Sequence, residues 1–247
     1  MKKEKQRQKK KSRIILYLLA GVLFLSGLVV LMYPKFTDYQ YRREVADTKQ
    51  VFMQHVESSS DDGEESESEN LTEKLYQELV RRNTELYEEH QKDLKDPFSY
   101  QQPDIDLSQY GISDNIIGFL KIDRMGIELP IYLGANQKNM AKGAVHLTET
   151  SYPVGGDNTN CVIAAHRGYS RTAMFRDIEE LQIGDEIEIQ NFREKLIYKV
   201  AEIRVISPTD INELLIQPGR DLVTLITCHP YRHNYQRYVV FCERVSG

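Results

Sequence analysis

The chain has 247 residues, enough for one sizeable domain plus appendages, and a formal net charge of −5. Residues 1–13 hold six Lys and two Arg against one Glu, a net +7 that leaves the remainder at −12. So acidic a body is a poor nucleic-acid binder, because phosphate contact needs basic patches. Three cysteines, Cys161, Cys228 and Cys242, exclude a disulfide framework, and their odd number leaves at least one thiol outside any intramolecular bridge.

Residues 14–32 form a run of nineteen without a charge. At about 1.5 Å of rise each they span roughly the 30 Å of a hydrocarbon core. The basic flank before them predicts a cytoplasmic tail over 1–13, a transmembrane helix over 14–32 and an extracellular bulk. A cleaved signal peptide would have a shorter apolar region, of about 7–15 residues, ending in a small-x-small site; here the run ends Val-Val-Leu-Met-Tyr-Pro. The expectation is therefore an uncleaved, single-pass anchor.

Residues 33–110 read as membrane-proximal helices, an acidic linker and a lead-in to the main domain. A polar, Tyr-rich helix is expected over 33–55. Residues 57–70 carry seven acids and no apolar side chain, so they read as a solvated linker or mobile loop. Leu71, Leu75, Leu79 and Leu86, with Tyr76 and Tyr87 beside them, recur at helical spacing and predict a helix that leans on a larger body. Asp96-Pro97-Phe98 breaks that helix.

From residue 111 to 247 the texture changes to short apolar or alternating runs: 117–122, 127–132, 159–165, 185–190, 195–206, 222–227 and 238–244. Gly, Pro, Asn and Asp separate most of them. Seven or eight short strands in about 130 residues predict a mainly β domain, a closed or partly closed barrel. Short helices are expected over 173–181 and around 212–215.

The segment Thr224-Leu225-Ile226-Thr227-Cys228 ends an apolar run in a thiol, and Arg237 opens the next run nine residues later. Strand, loop and strand would put thiol and guanidinium at the same end of a pair. His166 closes the run Val162 to Ala165 in the same way and is followed by Arg167-Gly168. Strand ends on one barrel rim give rigid mounts for a site. A Cys–His pair holds the thiol in its reactive form, and Arg237 supplies a cation that favours thiolate and oxyanion alike. Taken singly, each residue has a plainer use: a small core cysteine, a structural histidine, a surface ion pair. Cys161 and Cys242, within apolar strands, read as core residues. Two loop histidines, His229 and His233, lack the clustered ligands a metal needs, so no metal is expected, and no other cofactor is called for; they read as exposed loop residues, the alternative being that they tune the thiol or contact substrate.

The segments 224–228 and 165–168, with Arg237, resemble the signature of sortases, membrane-anchored cysteine transpeptidases of Gram-positive bacteria. Pro153-Val154-Gly155-Gly156 and residues 175–184 are similar to the same family. The resemblance implies an eight-stranded sortase β-barrel with short helices, in which His166, Cys228 and Arg237 serve as acid/base, nucleophile and oxyanion or substrate stabiliser. It implies substrates bearing a Leu-Pro-x-Thr-Gly-like sorting signal, cleaved after the threonine, and an amine acceptor. The short interval from Cys228 to Arg237, and Tyr33-Pro34, look like class C, the pilus-assembling sortases. So does Asp96-Pro97-Phe98, which resembles the class C lid, with Asp96 pairing an active-site arginine and Phe98 covering Cys228. His229 and Arg232 depart from the class C loop, and the sequence through Gly247 shows no second hydrophobic segment. Three roles follow: joining a pilin's sorting-signal threonine to a lysine amine of the next pilin, attaching surface proteins to a peptidoglycan-precursor amine, or a non-catalytic surface binding module on the same barrel.

Overall fold

The computed structural model describes residues 2–57, 67–91, 94, 102–112, 114–169 and 172–245. Asp96, Pro97 and Phe98 of the expected lid lie outside the described residues, as does most of the acidic tract. The chain divides into two compact units, Met1–Arg43 and Glu44–Gly247.

Helix α1 spans Lys2–Glu57, with Pro34 inside it. The separate helices expected on either side of Tyr33 are thus one element. A proline removes one hydrogen bond, and here the neighbouring turns keep the helix going. Within α1 lies a stretch of mean hydropathy 2.6, long and apolar enough to cross a membrane. Helix α2 spans Glu67–Glu88, beginning four residues inside the tract expected to be a linker. Glutamate is a good helix former, and a tract without apolar residues gave no periodicity from which to read this.

The second unit is built on a closed eight-stranded barrel: β1 (Ile116–Ile122), β2 (Ile127–Leu133), β3 (Ala144–His146), β4 (Thr159–Ala164), β5 (Glu186–Asn191), β6 (Lys195–Ile206), β7 (Asp221–His229) and β8 (Gln236–Arg244). Their order around the barrel is β1-β2-β3-β4-β7-β8-β6-β5, and β5 pairs back onto β1. The β2–β3 and β4–β7 pairs are parallel and the rest antiparallel. Seven strands fall where the apolar runs placed them. Three-residue β3 was missed, being too short to show an alternation. The helix expected over 173–181 is only a 3-10 turn, Ile178–Glu180, and that near 212–215 is a 3-10 turn at Ile211–Leu214. The β1–β5 seam that closes the barrel is tight: a Cβ at Gly118 would lie 2.6 Å from the Gln190 carbonyl oxygen.

Leu75 and Leu79 of α2 are fully buried, each contributing about 1.5–3 kcal/mol of apolar burial. Polar clamps fix the helix in register. The Asn83 side chain accepts from Tyr152 N at 2.7 Å and donates to Tyr152 O at 3.3 Å, mimicking a strand partner. Past the helix end, Gln91 donates to Glu149 O at 3.0 Å and accepts from Ile216 N at 2.6 Å. The Tyr152 hydroxyl and Arg82 both bond Asp104, at 2.6 and 3.1 Å.

His146 is buried beneath this clamp and stacks on Tyr152 at 4.9 Å. Its Nε2 faces the carbonyls of Thr150 and Ser151 at 3.2 and 3.1 Å; carbonyls only accept, so Nε2 carries the hydrogen. Burial pushes the imidazole below its ordinary value, against the opposing pull of Asp104. The unfolded chain binds this proton near pH 6.5 and the folded chain does not, so stability is full above that value and declines below it. Unfolding free energy should fall between pH 7 and 5 with a slope of up to about 1.4 kcal/mol per pH unit from this group, and H146N should flatten the slope. Denaturant titrations across that range check it; an unchanged slope in H146N would count against the assignment.

Candidate active site

Two registers build the site. In the parallel β4–β7 pair, Ala164 is level with Ile226. Beyond it, Ala165 N donates to Ile226 O at 3.3 Å, and the Thr227 hydroxyl donates to Ala165 O at 2.7 Å. Continuing this register one step past the hydroxyl bond brings His166 level with Cys228. In the antiparallel β7–β8 pair, Cys228 lies directly opposite Arg237. Strands β7 and β8 thus set Cys228 and Arg237 in one row on one face of the sheet, and His166, two residues past the end of β4, extends that row.

Each member has its own support. The carbonyl of His166 accepts from Gly168 N at 2.9 Å and Phe175 N at 3.0 Å, which pins the start of the following loop. The Tyr169 ring stacks on the imidazole at 5.3 Å with an interplanar angle of 8°. Partial burial lowers the His166 pKa from its ordinary value, leaving the ring neutral at pH 7 and fit to accept a proton. Arg237 is 5% exposed, and its Nη1 donates to the carbonyls of Asn234 and Gln236 at 2.7 and 3.1 Å. This fork fixes both the guanidinium and the end of the β7–β8 loop.

Of the three cysteines, Cys161 and Cys242 are buried and Cys228 is half-exposed. Burial pushes both core thiols well above the ordinary range, Asp221 adding to the effect at Cys161. Their thiolates are therefore scarce at neutral pH, and reagent reaches Cys228 most easily. Among the described residues no three His, Cys, Asp or Glu side chains gather as a metal site.

One expectation fails. His229 is not a loop residue: it is the last residue of β7, half-buried, with Nδ1 2.8 Å from Arg167 Nη1 and 3.2 Å from Glu179 Oε1. The run of polar residues from His229 to Gln236 masked its membership of the strand. The signal that could have found it is the strand period: His229 follows Cys228 in β7 and so points to the other face. His233 is exposed, its ring 5.6 Å from that of Tyr235. Arg232, at a left-handed φ of 66°, lays its guanidinium 5.4 Å from the Tyr231 ring centre.

The sortase domain family model matches residues 120–245. Sortase A of Bacillus anthracis is 30% identical over 162 residues, covering 65% of this chain and 75% of the relative. Sortase D of Bacillus subtilis (strain 168) is 26% identical over 132 residues, 52% of this chain and 64% of the relative. Among solved structures, sortase C1 of GBS pilus island 1 superposes with a TM-score of 0.72 at 27% identity, covering 82% of this chain and 98% of that one. Streptococcus pneumoniae sortase C gives 0.67 at 29% identity, covering 80% and 97%. The chain belongs to the sortase family, and it is a cysteine transpeptidase. Family membership overturns the reading of the barrel as a non-catalytic binding module.

Two outcomes test this geometry. Native iodoacetamide treatment should place one carboxamidomethyl group on Cys228, with Cys161 and Cys242 reacting only after unfolding; peptide mapping reads this directly. T227V leaves the buried Ala165 carbonyl without its hydroxyl donor and should cost about 1–3 kcal/mol in denaturant unfolding.

Proposed function

We propose that this enzyme joins pilin subunits, with Cys228 as nucleophile, His166 as general acid and base, and Arg237 as stabiliser of the oxyanion or substrate. Supporting the reading is the row itself: a half-exposed thiol between a neutral imidazole and a buried guanidinium. The solved relatives favour the pilus role: one is sortase C1 of GBS pilus island 1, and Streptococcus pneumoniae sortase C is described for its pilin substrate specificity.

The substrate is a protein carrying a Leu-Pro-x-Thr-Gly-like sorting signal. His166 takes the thiol proton as Cys228 Sγ attacks the threonine carbonyl, and negative charge gathers on the carbonyl oxygen, where Arg237 opposes it. His166 returns the proton to the departing glycine amine, the Thr–Gly bond breaks, and a thioester remains. A lysine amine of the next pilin then attacks the thioester, passes a proton through His166 and expels the thiol, leaving an amide. The basic residues 1–13 stay in the cytoplasm, the apolar part of α1 spans the membrane, and the barrel works outside the cell. In a second reading the acceptor is a peptidoglycan-precursor amine. Co-expression with pilins separates the two: a lysine-linked polymer ladder supports pilin joining, and monomeric wall-linked product with no ladder sinks it.

Arg237→Lys keeps the charge but loses the planar fork, and kcat/KM for a sorting peptide should fall about 10²-fold, the scale of one lost oxyanion donor. Rates near wild type would remove Arg237 from its role. The acid limb of kcat/KM should lie below pH 6.5, because desolvation holds His166 neutral. Tyr169→Ala re-solvates the ring, raises its pKa and should move that limb to higher pH. A pH–rate series reads both.

A further inference from the structure

Directly behind the row lies a second cluster. The register that pairs Cys228 with Arg237 pairs Thr227 with Tyr238, and His229 shares that reverse face. Arg167, next to His166 in the bend that follows β4, reaches that face, its side chain 4% exposed. Its Nη2 meets Glu179 Oε2 at 2.7 Å, Glu179 coming from the 3-10 turn Ile178–Glu180. Its Nη1 lies 2.8 Å from His229 Nδ1 and 3.5 Å from the carbonyl of Cys228 itself. The same Nδ1 lies 3.2 Å from Glu179 Oε1, so the imidazole closes a triangle with the guanidinium and the carboxylate. The Arg167 Cζ sits 5.8 Å from the Tyr238 ring centre, and the His229 ring 5.6 Å from the same ring.

One buried cation therefore ties the residue after His166 to the residue after Cys228 and to the backbone of Cys228. Stability alone does not account for this. Burying a guanidinium costs several kcal/mol before pairing, and Arg167 Nε is buried without a hydrogen-bond partner among the described residues. An apolar side chain would fill the place at lower cost. What the arrangement supplies is a fixed separation between the ends of two parallel strands that have no turn to join them.

We propose that Arg167, Glu179 and His229 are positioning residues: a brace on the reverse face that sets the spacing of His166 and Cys228 without touching substrate. The inference rests on the reading of His166 and Cys228 as the catalytic pair. Misplacing reacting groups by about 1 Å costs on the order of 10²-fold, so the brace acts on turnover rather than on binding.

The test is the kcat and KM of sorting-peptide cleavage by the full chain in R167M, R167K, E179Q, H229Q and the double variant R167M/E179Q, with thermal midpoints alongside. Expected are a fall in kcat of about 10²-fold in R167M with KM within twofold, about 10-fold in E179Q, and partial rescue in R167K. The double variant should be no worse than R167M, because one cut already opens the brace. If R167M fails to fold, E179Q and H229Q, at a half-exposed and a partly buried side chain, carry the same kcat-against-KM readout. Wild-type kcat in the folded variants would overturn the brace, as would a raised KM at unchanged kcat, which marks substrate contact. Cleavage by C228A would overturn the catalytic reading beneath it, an outcome distinct from wild-type turnover in the brace variants.

Discussion

The parallel pairing of β4 with β7 is the constraint on which the rest depends. β4 and β7 lie far apart in sequence, and no short turn can join parallel neighbours. The barrel holds them side by side through a six-residue register, Thr159–Asp221 to Ala164–Ile226. Everything chemical about the site is inherited from where that register stops. Thr227 adds one more bond, through its hydroxyl to Ala165, and the same register carried one step further sets His166 level with Cys228. The antiparallel β7–β8 pair then brings Arg237 across from the thiol. A slip of one residue in either pair would send a member of the row to the opposite face, because the side-chain period of a strand is two.

The same period explains why charge sits on both sides of the strand ends. On one face, buried Arg237 is held by the carbonyls of Asn234 and Gln236 and pairs in register with Cys228. On the other, buried Arg167 is held by Glu179 and His229. Desolvated cations strengthen electrostatics where they are paired and cost heavily where they are not. Arg237 accordingly has backbone carbonyls as acceptors, and Arg167 has the carboxylate of Glu179 from the 3-10 turn. Farther from the site, α2 is joined to the barrel by amide side chains in the place of strand partners, Asn83 against Tyr152 and Gln91 against Glu149 and Ile216.

Much of the barrel was legible in advance. Long alternating or apolar runs such as 195–206 and 222–227 mark strands because nothing else satisfies their period and their β-branched content. What was not legible has physical reasons. β3 covers three residues, less than the shortest pattern that alternation can show. Residues 173–181 have a helical look but resolve into turns, with Phe175 N taken by the His166 carbonyl, a tertiary bond that propensity does not see. α2 starts inside an acidic tract because helix formation there needs no apolar face of its own once Leu75 and Leu79 are buried downstream.

The sequence by itself determined the number and type of most strands, the apolar span near the N-terminus, and the three residues whose chemistry suits acyl transfer. Those are local properties: periodicity, run length, and the identity of a residue at the end of a run. Only the tertiary structure decided that β4 and β7 are neighbours, that Cys161 and Cys242 are sealed in the core while Cys228 is half-open, and that His229 belongs to a strand and a buried ion network rather than a loop. Parallel adjacency and burial are set by which distant segments close the barrel, and no window of sequence contains both partners.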